Sequence, residues 1–224
     1  MPEFEIHHLK QCASTNEEAK KWPPYHAVTA ETQTAGKGRN GRKWESLSGN
    51  LFLSVTLPLP SNAALYSFIA ALTVAETLGF LSPRIKWPND ILIDGKKICG
   101  ILLETTDTTL IIGIGVNIET APTGPVLYQT TCLKDHNAVL SAKELANKIL
   151  QNLIFEINLF QQKGFSTVRQ QWLEYATGIG KPIEVRLPRE TLHGIFEGLD
   201  DTGALILKQD KTIRHITAGD VFMI

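Results

Sequence analysis

Long hydrophobic runs and paired cysteines are both missing from this sequence. Its most apolar stretches, such as LIIGIGVNI, are far shorter than the roughly 20 residues that a membrane-spanning helix needs, and no charged-then-apolar leader precedes Phe4. The three cysteines, Cys12, Cys99 and Cys132, are odd in number and have no CxxC spacing, which argues against a disulfide framework and a zinc site. We therefore expect a cytoplasmic protein with no membrane association and with reduced, buried thiols.

A strong charge imbalance is also absent. The formal net charge is −1 and the pI is near 6.6, so the chain as a whole has no general affinity for nucleic acid. With 43% hydrophobic and 20% charged residues, the composition is that of an ordinary globular protein. A length of 224 residues exceeds that of a typical single domain, which favours two unequal domains.

The predicted elements also divide the chain into two parts. Strands and helices alternate up to about residue 178, which predicts an α+β fold with a mixed β-sheet and helices packed on it. Predicted strands cover residues 27–35, 50–59 and 109–118, with three more within 84–104, and predicted helices cover 16–22, 65–81, 141–162 and 167–175. Short alternating strands such as PIEVRL and TIRHI follow, typical of a small β-barrel. We expect one domain over residues 1–178 and a second over 179–224.

Two helix starts carry the pattern of a capping box, in which a Ser or Thr precedes a Glu by three residues. Ser14 and Thr15 precede Glu17 and Glu18 in this way, and a second pair of this type begins at residue 141. The pattern predicts that these hydroxyls bond to backbone amides in the first turn of each helix.

The stretch GKGRNGRK, residues 36–43, places three glycines and four cations in eight residues between two predicted strands. A dinucleotide-binding loop would be followed by a helix, and an NTPase phosphate loop by Ser or Thr, and neither occurs here. The kinase signatures HRD and DFG are absent as well. Glycines let the backbone approach a ligand, and the cations offer charge-assisted bonds, so we predict a compact anion as ligand. A solvated hairpin tip is the alternative.

An ordered set of motifs resembles those of the biotin protein ligases. The motifs are STN, Gln33 before GKGRNGRKW, KWPND, GKKICGILLE and GIGVN, which together run from about Cys12 to Asn117. The resemblance implies a class II aminoacyl-tRNA synthetase-like fold of the biotin/lipoate ligase type, with a C-terminal SH3-like domain. It also implies that biotin and ATP form biotinyl-5'-adenylate, and that the biotinyl group then passes to one lysine of a biotin carboxyl carrier protein, an acetyl-CoA carboxylase subunit or similar.

The resemblance further implies roles for individual residues. The implied catalytic residues are Lys97, Arg39 and Asp90, and Asp90 is also an indirect Mg²⁺ ligand that orients ATP or steers the incoming amine. The implied biotin-binding residues are Ser14, Thr15, Asn16, Gln33, Gly36, Lys37, Gly38, Arg39, Lys97 and Gly100. The implied ATP-binding residues are Arg39, Arg42, Trp44, Asn89, Lys97 and Asn117.

Simpler explanations stay open for several of these residues. The sequence around Lys97 is also that of a lysine in a surface hairpin, and Trp44 could equally be a core side chain. Asn89 and Asp90 follow a proline and are also typical of an ordinary turn. Lys37 and Asn40 stand where the family more often has arginines, which favours weaker ligand binding because fewer bidentate contacts are available.

Three questions of function and partner follow from the resemblance. About a dozen residues precede the STN motif, too few for the winged-helix domain of bifunctional family members, so we expect no DNA binding. The rival functions are a lipoate-type ligase on the same fold, a non-enzymatic nucleic-acid-binding module that uses the basic loop, and a carrier-recognition module without catalysis. Both a monomer and a homodimer are compatible with the pattern.

Overall fold

The structure, a computed structural model, describes residues 3–123 and 128–224, which form two β-sheets and a layer of helices. The strands are β1 (Glu5–Cys12), β2 (His26–Gln33), β3 (Leu51–Pro58), β4 (Arg84–Lys86), β5 (Asp90–Ile93), β6 (Lys96–Thr105), β7 (Thr109–Val116), β8 (Pro182–Arg186), β9 (Thr191–Leu199), β10 (Leu205–Gln209), β11 (Thr212–Ile216) and β12 (Asp220–Met223). The α-helices are α1 (Thr15–Ala19), α2 (Tyr66–Thr77), α3 (Ala142–Lys163) and α4 (Phe165–Tyr175). Short 3₁₀ turns lie at Arg39–Gly41, Ala63–Leu65, Gly79–Leu81 and Leu133–His136.

The larger sheet has seven strands in the order β1-β2-β3-β7-β6-β5-β4. Only β1 and β2 run parallel among the described strands, and every other neighbouring pair is antiparallel, so the predicted mixed sheet is confirmed. Helices α2, α3 and α4 pack on one face, where apolar side chains such as Leu53 and Val55 of β3 are fully buried. Because side chains alternate along a strand, Ser54 points to the opposite face, where it contacts the residues of α1.

The C-terminal strands form a five-stranded antiparallel sheet in the order β11-β10-β9-β8-β12. This arrangement fits the predicted SH3-like β-barrel. The two sheets share a continuous apolar core, and the buried indole of Trp87 donates from Nε1 to the carbonyl of Gly203 at 3.1 Å. The α+β prediction is therefore confirmed together with its small C-terminal barrel.

Two strands escaped the sequence prediction, and one capping prediction is wrong. The missed strands are β1, in which only Cys12 is buried, and the four-residue β12. The capping box between Ser141 and Glu144 is confirmed, with the Glu144 amide donating to Ser141 Oγ at 3.2 Å. The doubled box at Ser14 and Thr15 is wrong, because within the described chain Ser14 makes no side-chain cap bond.

None of the helices among residues 3–123 and 128–224 combines the length and apolarity that crossing a bilayer requires.

A pair of carboxyl groups lies between α2 and α3. Glu156 of α3 is fully buried, and neither of its carboxyl oxygens has a hydrogen-bond partner among the described residues. Burial, and next the negative charge of Glu76 on α2, raises the pKa of Glu156 to about 7. Burial also raises the pKa of Glu76. The helix layer therefore holds a carboxyl group that is protonated at mildly acidic pH and costs stability when it ionises.

We expect Glu156→Gln to leave the free energy of unfolding nearly unchanged at pH 5 and to raise it by about 2 kcal/mol over the parent protein at pH 8. Because the folded-state pKa of about 7 lies above the ordinary glutamate value of 4.5, the parent loses stability as the pH rises from about 4.5 to about 7. Urea unfolding at the two pH values measures the difference. Glu174→Gln, which changes an exposed carboxyl of α4, should show no pH-dependent gain, and an equal gain for Glu156→Gln at both pH values would contradict the assignment.

Candidate active site

One row of paired residues crosses five strands on the face that carries α1. Phe52 of β3 pairs with Gly115 of β7, Gly115 with Gly100 of β6, Gly100 with Asp90 of β5, and Asp90 with Lys86 of β4. Directly paired residues of an antiparallel sheet share a face, so the row passes from an aromatic ring through two glycines to a pair of charges. The missing side chains at the two glycines leave room above the middle of the sheet.

A cavity of about 720 Å³ lies over this row. Its described wall consists of Ser14, Thr15, Asn16, Gln33, Lys37, Gly38, Arg39, Arg42, Lys43, Trp44, Glu45, Phe52, Asn89, Asp90, Lys97, Gly100, Ile101, Leu102, Gly113, Ile114, Gly115, Asn117, Pro122, Tyr128, Thr130 and Asp220. All the residues that the sequence resemblance selected for substrate contact are in this wall except Gly36. A volume of this size suits a substrate of cofactor dimensions.

The indole of Trp44 lies against the two glycines of the row. A Cβ atom at Gly115 would be 2.6 Å from Trp44 Cε2, and one at Gly100 would be 2.8 Å from Trp44 Cζ3, so any larger residue at either position would displace the ring. Trp44 Nε1 is buried without a hydrogen-bond partner in the described part of the chain. Trp44 is therefore part of the cavity wall and does not belong to the hydrophobic core.

Gly36 lies behind this ring and outside the cavity wall. A Cβ atom there would be 2.7 Å from the carbonyl oxygen of Trp44 and 2.6 Å from Ser46 Oγ, so the glycine permits close packing of the loop base. This position shapes the base of the loop, and the expected contact between Gly36 and biotin stays a prediction.

One end of the cavity is neutral and polar. Thr15 donates to Gln33 Oε1 from its backbone amide at 2.7 Å and from Oγ1 at 3.1 Å. Ser54 Oγ lies 2.8 Å from Thr15 Oγ1 and 2.6 Å from Asn16 Oδ1, and Asn16 Nδ2 donates to Glu104 at 2.7 Å. These bonds explain the Thr15 half of the missing doubled box, because Gln33 and Ser54 hold the Thr15 hydroxyl that would otherwise have bonded to its own helix.

The other end of the cavity is charged. Lys97 Nζ lies 2.6 Å from Asp90 Oδ1, and Lys86 Nζ lies 3.4 Å from Asp90 Oδ2. Burial would raise the pKa of Asp90, but the ammonium groups of Lys97 and Lys86 outweigh it and hold the pKa below its usual value. Burial lowers the pKa of Lys86 to about 8, and its ammonium lies 2.9 Å above the ring of Tyr128. Two ammonium groups and one carboxylate leave this end of the cavity with a net positive charge.

The basic loop bends over the charged end. Lys37 and Lys43 pair as an isolated bridge, and the Gly38 amide donates to the Arg42 carbonyl at 2.7 Å, which closes the loop into a narrow hairpin. Arg39 Nη1 donates to Asn89 Oδ1 at 3.2 Å. This geometry places the Arg39 guanidinium on the inner side of the loop and rejects the solvated hairpin tip.

Two further ion pairs hold the loop to the rest of the protein. Lys37 pairs with Glu17 of α1, and Arg42 pairs with Asp220 of β12. The second pair joins residues 178 positions apart, so the C-terminal sheet contributes directly to the wall of the cavity.

Several wall residues were missed by the sequence reasoning. No pattern pointed to Asp220 or Tyr128, because neither lies in a motif and β12 was not predicted. Lys86, which is not a wall residue but contacts Asp90, was also missed, although it begins the KWPND motif and its spacing of four residues from Asp90 was available as a signal. Asn117 was predicted, and its buried Oδ1 has no hydrogen-bond partner within the described structure, as expected of a group that awaits a ligand.

Comparison with known proteins decides the family. Residues 8–118 match the Biotin/lipoate A/B protein ligase family, and residues 178–223 match the Biotin protein ligase C terminal domain. The chain is 35% identical over 241 residues to the biotin–[acetyl-CoA-carboxylase] ligase of Paracoccus denitrificans, with 96% of this chain and 98% of that protein covered. The chain belongs to the biotin protein ligase family. Its members are enzymes.

The ligase also matches a longer relative and several solved structures. It is 32% identical to the bifunctional ligase/repressor BirA of Escherichia coli and covers 65% of that protein's length. The biotin protein ligase of Aquifex aeolicus in complex with biotin and ATP superposes with a TM-score of 0.89 at 26% identity, covering 98% of this chain and 99% of that one. The enzyme from Leishmania major in complex with biotinyl-5-AMP superposes with a TM-score of 0.68, also at 26% identity, covering 96% and 99%.

We expect Gly115→Ala to destabilise the ligase by about 1 kcal/mol and to shift the Trp44 emission to the red, because the added methyl group pushes the indole away from the sheet. Urea unfolding and tryptophan fluorescence measure the two effects. In a Trp44→Ala background the same substitution should cost almost nothing, since nothing is left to displace. A cost that is unchanged in that background would show that Gly115 is needed for another reason.

Proposed function

We propose that this chain is an ATP-dependent biotin–[biotin carboxyl carrier protein] ligase that forms biotinyl-5'-adenylate and transfers the biotinyl group to a carrier lysine. One observation carries the proposal, which is that a single cavity has a neutral hydrogen-bonding end and a cationic end separated by glycines. Biotin has the matching polarity, because its ureido ring is neutral and its carboxylate is charged.

The neutral end suits the ureido ring. Ser14, Thr15 and Asn16 are at most 4% exposed, and the side chains of Thr15 and Asn16 are held in a fixed network with Gln33 and Ser54. Amide and hydroxyl groups of this kind can donate to and accept from a ligand that has no charge. Since the network is already ordered, little side-chain entropy is lost on binding.

The cationic end suits the meeting of two anions. In the first step a carboxylate oxygen of biotin attacks the α-phosphorus of ATP, the bond to the bridging oxygen breaks, and pyrophosphate leaves with the electron pair. Lys97 and Arg39 are placed to reduce the repulsion between the two reactants and to stabilise the charge that builds up. Asn89 positions Arg39, and it is itself fixed by a bond from Nδ2 to the carbonyl of Ile101.

The nucleotide would lie between the loop and the glycine row. Trp44 presents an indole face beside Gly100 and Gly115, which suits an adenine ring, while Arg42 is within the same wall for a phosphate. Asn117 adds a buried carbonyl oxygen that has no hydrogen-bond partner among the described residues, and which an exocyclic amine can satisfy.

The second step joins biotin to the carrier. The amine nitrogen of a carrier lysine attacks the acyl carbon, the bond to the phosphate oxygen breaks, and AMP leaves. Asp90 remains ionised because two ammonium groups lower its pKa, so it attracts and orients the carrier lysine as an ammonium and is a weak base. The ammonium loses one proton to solvent to become the attacking neutral amine, and the second proton leaves to solvent as the amide forms. Until the carrier arrives, the loop of residues 36–43 covers the reactive anhydride and excludes water.

Magnesium accompanies ATP in this proposal, bound mainly through the phosphates. Both Asp90 oxygens already contact lysines, and Asp220 is paired with Arg42. Neither carboxylate therefore fits a direct inner-sphere ligand, and no step depends on such contact.

Further assignments concern the domain bounds, the location in the cell and the carrier. We propose that the catalytic unit covers residues 1–178 and the SH3-like unit 179–224, supported by the C-terminal match that begins at residue 178. We also propose a cytoplasmic ligase without DNA binding that works as a monomer or homodimer, supported by the near-neutral charge. The carrier is a biotin carboxyl carrier protein of acetyl-CoA carboxylase or a similar enzyme, in keeping with the name of the Paracoccus relative.

Lys97→Ala should abolish biotin-dependent exchange of pyrophosphate into ATP, with a loss of about 100-fold or more, because the positive charge at the reacting groups is gone. Lys96→Ala, which changes the exposed neighbouring lysine, is the matched control and should exchange normally. Normal exchange by the Lys97 variant would remove this residue from the first step. Exchange by the parent protein with lipoate and not with biotin would overturn the proposed substrate.

Arg39→Gly should still form the adenylate but release it, so that bystander proteins become biotinylated at exposed lysines. The Arg39 guanidinium makes one of the contacts that keep the loop closed, and a glycine at this position also makes the backbone more flexible. A streptavidin blot of an added non-carrier protein measures the release. Asn40→Gly, at a position with φ of 56° that glycine adopts freely, controls for backbone flexibility and should retain the intermediate. Equal bystander labelling by both variants would contradict the role of Arg39.

A further inference from the structure

A cluster of two histidines and a glutamate lies at the start of the parallel pair β1–β2, away from the cavity. Glu5 and His7 are two residues apart on β1 and therefore share a face of the sheet. His26 is the first residue of β2 and pairs in register with Glu5. The topology thus brings three metal-binding side chains together from positions up to 21 residues apart, which no spacing in the sequence revealed.

The ligand atoms are close to one another. His7 Nε2 lies 2.8 Å from His26 Nδ1, and the carboxylate of Glu5 lies 3.8 Å from the first nitrogen and 3.9 Å from the second. The two histidine side chains are mostly buried, at 19% and 16% exposure, whereas Glu5 is 69% exposed. The site therefore combines two mostly buried nitrogens with an exposed carboxylate that is free to rotate, and it is open to solvent on the Glu5 side.

The positions of the two imidazole rings are fixed by stacking. Trp22 stacks on His7 with ring centroids 3.6 Å apart and planes inclined by 12°, and it stacks on His26 at 5.4 Å and 17°. The two histidine rings are nearly parallel, with an angle of 9° between their planes. Such stacking orients both nitrogens in advance, so binding an ion would need little reorganisation.

The backbone at this site is anchored as well. The Glu5 amide donates to the Tyr25 carbonyl at 3.0 Å, and the His26 amide donates to Thr56 Oγ1 at 3.0 Å. Thr56 is fully buried in β3, so the starts of the two strands are tied to the interior of the sheet.

We propose that Glu5, His7 and His26 form a binding site for a divalent transition-metal ion of the zinc type. Zinc binds imidazole nitrogen and carboxylate oxygen at about 2.0 to 2.2 Å, which places two ligand atoms of one ion roughly 3.3 to 3.6 Å apart. The observed separations of 2.8, 3.8 and 3.9 Å lie on both sides of that range. The two Glu5 distances involve different oxygens, Oε1 to His7 and Oε2 to His26, so the exposed carboxylate has to turn one oxygen toward both nitrogens while the nitrogens separate by about half an ångström. Glu5 then completes three ligands, and water supplies the fourth.

The site would clamp the two strands rather than take part in the reaction. Gln33, at the other end of β2, contacts the cavity about 20 Å away at the usual rise per residue of a strand, and it bonds there to Thr15, the first residue of α1. An ion shared by both strands would hold the edge strand β1 in register. Its effect is expected on stability and not on the chemical step.

Calorimetric titration of the ligase, without any affinity tag, with Zn²⁺ tests the site. We expect one ion per chain and a rise in the melting temperature on binding. His26→Ala should lower the affinity about tenfold or more and abolish the thermal shift. The matched control is His8→Ala, which changes the next histidine on the opposite, exposed face of β1 and should bind like the parent. Equal binding by both variants, or no binding by the parent, would overturn the proposal.

A second measurement does not depend on how well His26→Ala folds. Cu²⁺ bound at the site should quench the emission of the stacked Trp22, and Trp22→Phe should remove the quenched component. Glu5→Gln changes an exposed side chain with little effect on folding and should still weaken binding of Zn²⁺. Quenching that persists in Trp22→Phe, together with unchanged affinity in Glu5→Gln, would show that the ion binds elsewhere.

Discussion

The contact between Asp90 and two lysines is the interaction on which the rest of the site depends. One largely buried carboxylate holds the ammonium groups of Lys97 and Lys86 at one end of the cavity. Burial, and to a smaller extent the nearby charge of Lys97, lowers the pKa of Lys86 to about 8, and the Asp90 carboxylate opposes that shift. The carboxylate therefore keeps positive charge in place before any substrate arrives, and such preorganised charge is what lowers a barrier between two anions.

The glycines of the central strands give this charge a usable space. Gly100 and Gly115 pair across β6 and β7, directly between Asp90 and Phe52, and their missing side chains admit the indole of Trp44. The loop and the C-terminal sheet then close the cavity through Arg39 and through the pair of Arg42 with Asp220. The large sheet, the loop and the C-terminal sheet each contribute residues to the wall, so the small C-terminal sheet is part of the cavity and not a separate appendage.

Elements and site residues that depend on a local sequence pattern could be predicted, whereas those that depend on contacts between distant parts of the chain could not. The buried strand β7 was predicted because TLIIGIGV is a continuous apolar run, and the motifs pointed to nearly every wall residue of the first 117. Edge strand β1 shows almost no buried alternation, and Asp220 reaches the cavity only through tertiary packing, so neither had a local signal. The capping pattern at Thr15 misled because Gln33 and Ser54 compete for the same hydroxyl.

The central claim is that one cavity brings a carboxylate and a phosphate together at Lys97. A crystal structure of the ligase with biotin and a non-hydrolysable ATP analogue tests it most directly. The account predicts the biotin carboxylate and the α-phosphate within about 3 Å of Lys97 Nζ, and the ureido ring at Thr15 and Gln33. Ligands bound with either reacting group remote from Lys97, or with biotin reversed in the cavity, would contradict it.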